Sequence, residues 1–214
     1  FDTALVERAA RVAAVEATAH GVHWTFAPMV DIARDARWGR IVEGAGEDPY
    51  LGAAMAAAQV RGFQGPRLGA PDRVLACAKH FGAYGAAEGG RDYDPVYVPE
   101  GQLRNVYFPP FRAAVAAGVG SFMSAYMDLN DVPAGANRWL LTDVLKKEWG
   151  FPGFVVSDAM GVGNLLTMGF ARDRADAARR ALAAGLDMEM ASGAFPEHLA
   201  RLVNEGALSM AQLD

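Results

Sequence analysis

An α/β fold of parallel, barrel-type strands is predicted by three observations. Short apolar, β-branched runs alternate with helical periodicity along all 214 residues, and strands separated by helices imply a parallel sheet with right-handed crossovers. The segments that follow the strands are longer than those that precede them, the asymmetry of a barrel whose strand-end loops carry function. The run Gly153-Phe154-Val155-Val156-Ser157 ends on the carboxylate of Asp158, at the end of a strand where barrel enzymes place reactive side chains. Five strands are legible, so the expected architecture is an incomplete (β/α)8 barrel of about five of the eight units.

Each element has a local cause. Asp2 can cap a first helix whose apolar positions Leu5, Ala9, Val12 and Ala13 share a face and which stops at Gly21. A strand is predicted over 23–30, then a polar loop over 31–47. Asp48 and Pro49 are N-cap and first-turn residues of a helix reaching about Gly62. The second strand covers about 74–79, and a Gly-rich loop runs from Gly82 to about Pro99. Pro109-Pro110 should split the helix that follows, through ring clash and a missing N–H. The third strand is placed at 121–126. Asn137 caps a helix with Trp139, Leu140, Val144 and Leu145 inward, closed by Gly150. The fourth strand is 154–157 and the fifth about 186–190, with a helix from Asp173 to Gly185 between them and another opened by Pro196.

Composition narrows the class. The chain is 52% hydrophobic with a formal net charge of -5, ample for a core and without the basic block that nucleic acid requires. No apolar stretch reaches the roughly 18 residues of a membrane span. Cys77 is the only cysteine and lies in an apolar run, which makes it a buried thiol rather than a nucleophile or a metal ligand. No secretory signal is legible at Phe1. Ser209-Met210-Ala211-Gln212 has capping-box spacing, as if a helix started there. The chain is therefore read as a segment of a longer protein, one that alone would leave sheet edges and apolar surface bare.

Four strand-end motifs carry chemistry. Arg34-Asp35-Ala36-Arg37-Trp38-Gly39-Arg40 sets three guanidiniums around an indole, suited to carboxylates and paired hydroxyls. Pairing with Asp35, Glu43, Glu47 and Asp48 explains Arg34 and Arg37 equally well. Lys79-His80 ends the strand that bears Cys77. Lys79 there could form a Schiff base, donate to hydroxyls, or simply pair with a carboxylate. Tyr126 closes the third strand and could reach a nucleophile or pack at the rim. Asp158 could cap the helix beginning near Met160 or act as a catalyst, and its motif alone does not choose. His20, His23 and His198 have no metal-like spacing, with His20 and His198 on helix surfaces and His23 at a strand start. Met188 and Met190 read as core filler, and Glu189 as a weak site candidate near the mouth.

Together and in this order, the motifs resemble glycoside hydrolase family 3, the β-glucosidase and β-xylosidase group. The resemblance rests on Phe26-Ala27-Pro28-Met29-Val30-Asp31, the Arg34–Arg40 motif, Glu47-Asp48-Pro49-Tyr50, Lys79-His80-Phe81 and 153–158, and it covers essentially the whole chain. Ala83-Tyr84-Gly85-Ala86-Ala87-Glu88-Gly89-Gly90 looks most like the bacterial periplasmic β-glucosidase branch. It implies that residues 1–214 are part of an N-terminal (β/α)8 catalytic domain, lacking its first strands and a following α/β domain. It implies Asp158 as nucleophile of a retaining exo-β-glycosidase, Arg40, Lys79 and His80 as ligands of sugar hydroxyls, and Tyr126 beside the nucleophile. Glu43, Glu47 and Asp48 become loop scaffolding. The implied partner is a β-glucoside or oligosaccharide, with a homodimer of the full-length protein allowed. Neither nucleic acid nor membrane is implied, nor any metal or cofactor, and the resemblance favours a periplasmic or secreted compartment while leaving a cytoplasmic one open.

Departures limit that picture. The acid/base expected from a following domain has no counterpart here. Neither the Pro nor the His of the N-acetylglucosaminidase branch follows Lys79-His80, which disfavours that branch. A sugar-binding Asp expected on an earlier strand is also missing. Ala159 stands where an aromatic residue or His is frequent, which leaves the aglycone side open. Three rival readings remain: another family 3 specificity such as β-xylosidase, a catalytically incomplete sugar-binding fragment, and a barrel lyase using Lys79 as a Schiff base.

Overall fold

The computed structural model of the protein describes residues 1–213. Its centre is a four-stranded parallel sheet in the order β1 (Cys77–Phe81), β2 (Ser121–Ser124), β5 (Phe154–Ala159) and β6 (Met188–Met190). Neighbours in the sheet are consecutive parallel strands in the chain, with Cys77 opposite Ser121, Ser121 opposite Phe154 and Val156 opposite Met188. Sequential parallel order with helical crossovers is barrel connectivity, so the α/β incomplete-barrel expectation holds. A two-stranded hairpin, β3 (Asp128–Leu129) and β4 (Val132–Pro133), lies apart from this sheet.

The segment predicted as a first strand is a correction. Residues 23–30 run parallel beside β1 but pair only at Trp24 with Leu75 and Met29 with Lys79. Pro28 has no N–H to extend the ladder, and the Ala27–Pro28 bond is cis. The chain instead bonds intermittently, from Cys77 N–H to Ala27 O at 2.8 Å and from Val30 N–H to Lys79 O at 2.8 Å.

The helices are α1 (Thr3–Ala19), α2 (Pro49–Gln64), a single turn α3 (Glu100–Gln102), α4 (Pro109–Ala116), a short α5 (Asn164–Thr167), α6 (Arg174–Ala184) and α7 (Ala194–Asn204). Asp2, Asp48 and Asp173 each accept an N-cap bond, from Leu5, Leu51 and Asp176 N–H respectively. The Pro109-Pro110 split is present: a wide i→i+5 turn at Leu103–Tyr107 precedes α4. Trp139–Glu148 is a wide helix of the same kind, and Asn137 Oδ1 accepts from Leu140 N–H.

The face predicted for α1 is wrong. Leu5 and Val12 are exposed, and the buried residues are Ala10 and Ala14. The helix docks on α2 by close approach: a Cβ on Gly62 would lie 2.5 Å from the Ala10 Cβ and from the Glu7 carbonyl. Small residues make that contact, so apolar bulk did not mark it.

Alternation along the strands divides the core. Ala78, Phe122 and Val155 face the helices and join the main cluster, in which Phe81 meets Phe108, Phe111, Phe122 and Trp149 edge-on or tilted. Each buried ring of this kind contributes roughly 1.5–3 kcal/mol. Cys77, Met123 and Val156 face the other way, with Trp24, Phe154 and Met190 packed against them. By the same two-residue period, Asp158 follows Val156 onto that inner face, at the carboxyl end of β5. Cys77 is the buried thiol expected, pushed by burial to about 12. Met188 is not core filler here, since it is 45% exposed.

Candidate active site

Asp158 is the penultimate residue of β5, with its side chain 13% exposed. Oδ1 accepts from the Ala159 N–H at 2.7 Å, and Oδ2 lies 3.4 Å from His80 Nε2. The Ala159 bond is a local tether, not a cap of a following helix: α5 begins at Asn164 and has no side-chain cap. One of the two readings of Asp158 is thereby weakened.

His80 is the penultimate residue of β1 and is 1% exposed. Its Nδ1 lies 2.8 Å from Asp31 Oδ2, and its backbone N–H donates to the same oxygen at 3.0 Å. The Tyr84 ring meets the imidazole edge-on at 5.1 Å. Lys79 precedes it across a cis peptide bond and makes no ion pair or side-chain hydrogen bond among the described residues. Of the three readings of Lys79, pairing with a carboxylate is not seen among the described residues. Its field still reaches Glu43, which is held below the usual carboxylate range first by the Arg40 hydrogen bond, with Lys79 and His80 adding to it.

Arg40 donates from Nε and Nη2 to the two Glu43 oxygens at 2.6 and 3.0 Å and lies 5.6 Å from the Tyr84 ring centroid. The other two arginines of the motif point elsewhere. Arg37 forks onto Asp35, and holds that carboxyl at about 2, while Arg34 donates to the Tyr107 hydroxyl. Trp38 is buried and its indole N–H donates to Asp92 at 2.9 Å. That bond pins the 88–94 turn onto the 34–40 loop. At Gly90, φ is +67° and a Cβ would come within 3.0 Å of Asp35, Arg37 and Trp38 atoms, so only glycine permits this approach.

Tyr126 follows β2. Its hydroxyl is pushed well above the ordinary phenol range, first by burial and then by the neighbouring Asp158 carboxylate. Tyr93, exposed and at φ +72°, stands edge-on to Tyr126 with centroids 5.0 Å apart. The structure thus brings Asp158, His80 and Tyr126 together, with Arg40 linked to them through Tyr84 and Lys79 adjoining His80. Sequence reasoning missed Asp31, Tyr84 and Tyr93. Asp31 carries the same signal as Asp158, a carboxylate closing an apolar run, and could have been found by it.

Glu189 is tied to α7 instead: its Oε1 accepts from Phe195 N–H at 3.1 Å. Glu47 and Asp48 remain loop and cap residues, and His198 is half-buried rather than on the surface. No group of three metal-ligating side chains occurs among the described residues. No described helix is long and apolar enough to cross a membrane.

Comparison with known proteins identifies the family. The family model for the glycosyl hydrolase family 3 N terminal domain matches residues 1–214. A periplasmic beta-glucosidase of Salmonella typhimurium is 44% identical over 214 residues, which is 100% of this chain and 28% of that protein. A beta-xylosidase of Formosa agariphila is 44% identical over 198 residues, 90% of this chain and 27% of the other. The crystal structure of a beta-glucosidase from Listeria innocua superposes with a TM-score of 0.97 at 40% identity, covering 99% of this chain and 30% of that one. The chain therefore spans under a third of the length of these relatives, and over that length it belongs to glycosyl hydrolase family 3.

Proposed function

We propose that this chain supplies the nucleophile half of a retaining exo-β-glycosidase acting on terminal β-D-glucosyl residues. The observation that carries the reading is the Asp158 carboxylate, at the carboxyl end of an inner-face strand and bordered by the His80 imidazole and the Tyr126 hydroxyl. One Asp158 oxygen bonds to the anomeric carbon while the glycosidic oxygen leaves with a proton from an acid. Water then attacks the glycosyl ester, gives its proton to the same group acting as base, and frees the carboxylate. When it is a carboxyl, that second group sits about 5–5.5 Å from the nucleophile. It is assigned to a part of the intact protein outside this chain, and residues 1–214 to part of its barrel domain.

Around the nucleophile, His80 presents Nε2 to the sugar, and Lys79 donates to its hydroxyls. Arg40 does the same with the N–H groups that Glu43 leaves free. A periplasmic or secreted location is supported by the Salmonella relative's name. β-Xyloside hydrolysis is the second reading, favoured by the Formosa beta-xylosidase at equal identity.

The test uses the intact protein and a 2-fluoro-β-glucoside with an activated leaving group. Covalent label should appear on the peptide holding Asp158, and label on any other peptide would sink the assignment. Borohydride reduction with a carbonyl substrate should leave Lys79 unmodified, and a trapped secondary amine there would establish the lyase rival instead.

A further inference from the structure

Among the described residues, Asp31 is the one fully buried carboxylate that touches this site without being used by the reaction just described. Its side chain is 0% exposed. Oδ2 takes both the His80 backbone N–H at 3.0 Å and its Nδ1 at 2.8 Å, and Oδ1 has no partner. Taking a carboxylate out of water is costly unless donors compensate it, and here both donors come from one residue, 49 positions along the chain.

We propose that Asp31 is a positioning residue for the reaction at Asp158, holding His80 with its Nδ1–H on Asp31 and its Nε2 aimed at Asp158 and the bound sugar. This rests on reading Asp158 as the nucleophile. An imidazole can flip about its χ2 bond and can carry its proton on either nitrogen. An ionised carboxylate accepts only, so a proton is fixed at Nδ1 and Nε2 is turned away from Asp31. The second bond, to the backbone N–H, references the strand end to the same oxygen, so the base and the tip of the ring are set together. Tyr84 closes another side edge-on. The titratable groups facing the ring are then Asp31, Asp158 and Tyr84, with Lys79 next to it in the chain and Glu43 within its field. An orienting carboxylate behind a site imidazole is the device by which acyl-transfer triads fix their tautomer. Here the ring would face a nucleophilic carboxylate rather than a hydroxyl.

The experiment compares Asp31→Asn and Asp31→Ala in the intact protein. Histidine-selective 15N labelling should show a far-downfield, slowly exchanging Nδ1–H proton, assigned to His80 by its loss in His80→Asn. Asp31→Ala should abolish that resonance and lower kcat about 10²-fold, with KM changed less than about threefold. The amide of Asp31→Asn keeps an acceptor but no charge, so its resonance should move upfield and its kcat fall about tenfold. A merely structural role would move the resonance too, because the acceptor is lost either way, but would leave kcat unchanged in the folded variant. If Asp31→Ala does not fold, Asp31→Asn decides alone. A kcat within about twofold of wild type in a folded variant overturns the proposal whether or not the resonance moves. If the fluoroglycoside labels another residue, the nucleophile reading falls while the resonance still reports on Asp31, so the two failures are separable.

Discussion

Gly85→Ala puts one methyl group against the backbone that leads out of Asp31. Gly85 lies in the turn Tyr84–Ala86, and a Cβ there would stand 2.3 Å from the Ile32 carbonyl oxygen, 2.9 Å from its carbon and 3.0 Å from the Ala33 Cβ. Its φ is not left-handed, so the obstacle is space and not conformation. An ordinary contact begins at 3.4 Å, so the two segments must separate by about 1 Å, and neither is free to give. Ile32 is 2% exposed and Ala33 4%, while Tyr84 packs on both His80 and Trp38. Overpacking of this kind costs about 1–3 kcal/mol. The displacement also enters the chain Asp31–His80–Asp158 at its first member, and an error of about 1 Å in reacting geometry costs about 10²-fold in rate. The assay is kcat/KM on an aryl β-glucoside together with the thermal midpoint, both on the intact protein. Gly52→Ala is the control. Its Cβ would meet the same Ile32, but at the flexible Cδ1 tip at 2.8 Å, with the Pro110 Cγ at 3.1 Å, and inside α2 alanine is favoured over glycine by about 1 kcal/mol. That variant should stay near wild type in activity. If Gly85→Ala matches wild type in both rate and midpoint, Asp31 does not depend on this close packing and the reasoning fails.

Two further outcomes are expected. Tyr93→Ala removes an exposed ring edge-on to Tyr126 and tests whether that ring borders the aglycone. It should raise KM for aryl glycosides by about 2–10-fold, the equivalent of about 0.5–1.5 kcal/mol of aromatic contact. Cellobiose should be affected less, and equal effects on both substrates would remove Tyr93 from the aglycone side. Asp176→Asn tests the start of α6. Burial opposes ionisation of Asp176, but hydrogen bonds from Arg179 and Arg180 and the Arg172 N–H outweigh it and hold the carboxyl well below its ordinary range. Because the folded-state value is depressed, the stabilisation is complete above the unfolded value of about 3.9 and is lost as pH falls below it. At pH 7 the variant should lose about 1–3 kcal/mol, the lower end reflecting arginines that are more than a third exposed. Urea unfolding should show the gap closing toward about pH 2, and a gap constant with pH would mean that the charge is not what matters.

The helix ends were legible because their causes are local. Asp2, Asp48, Asn137 and Asp173 all make the capping bonds expected of them, and Gly150 and Gly185 take the positive φ expected at helix ends. Strand ends were legible for a related reason, since an apolar run that stops on a polar residue marks the rim of a parallel sheet. What failed was non-local. The α1 contact is made by Ala10 against Gly62, where bulk is excluded, so large apolar residues pointed to the wrong face. The β3–β4 hairpin was missed although Asn130-Asp131, both at positive φ, is a turn signature. Asp31 escaped because its partner is 49 residues away and only the fold brings them together.

The charges at the mouth are unequally committed, and that inequality suits the proposed chemistry. Arg40 is already forked onto Glu43 and laid over Tyr84, so in the proposed site its remaining N–H groups would meet a hydroxyl from a fixed plane, with little side-chain freedom left to lose on binding. Lys79 has no such restraint among the described residues. Its flexible ammonium can follow a hydroxyl, but it must be ordered when it does. His80 lies between these extremes, its ring held by Asp31 on one nitrogen and open toward Asp158 on the other. A site that must hold a sugar while its anomeric carbon moves toward Asp158 needs both kinds of donor. Rigid ones define where the ring sits, and an adaptable one keeps its bond as the ring distorts.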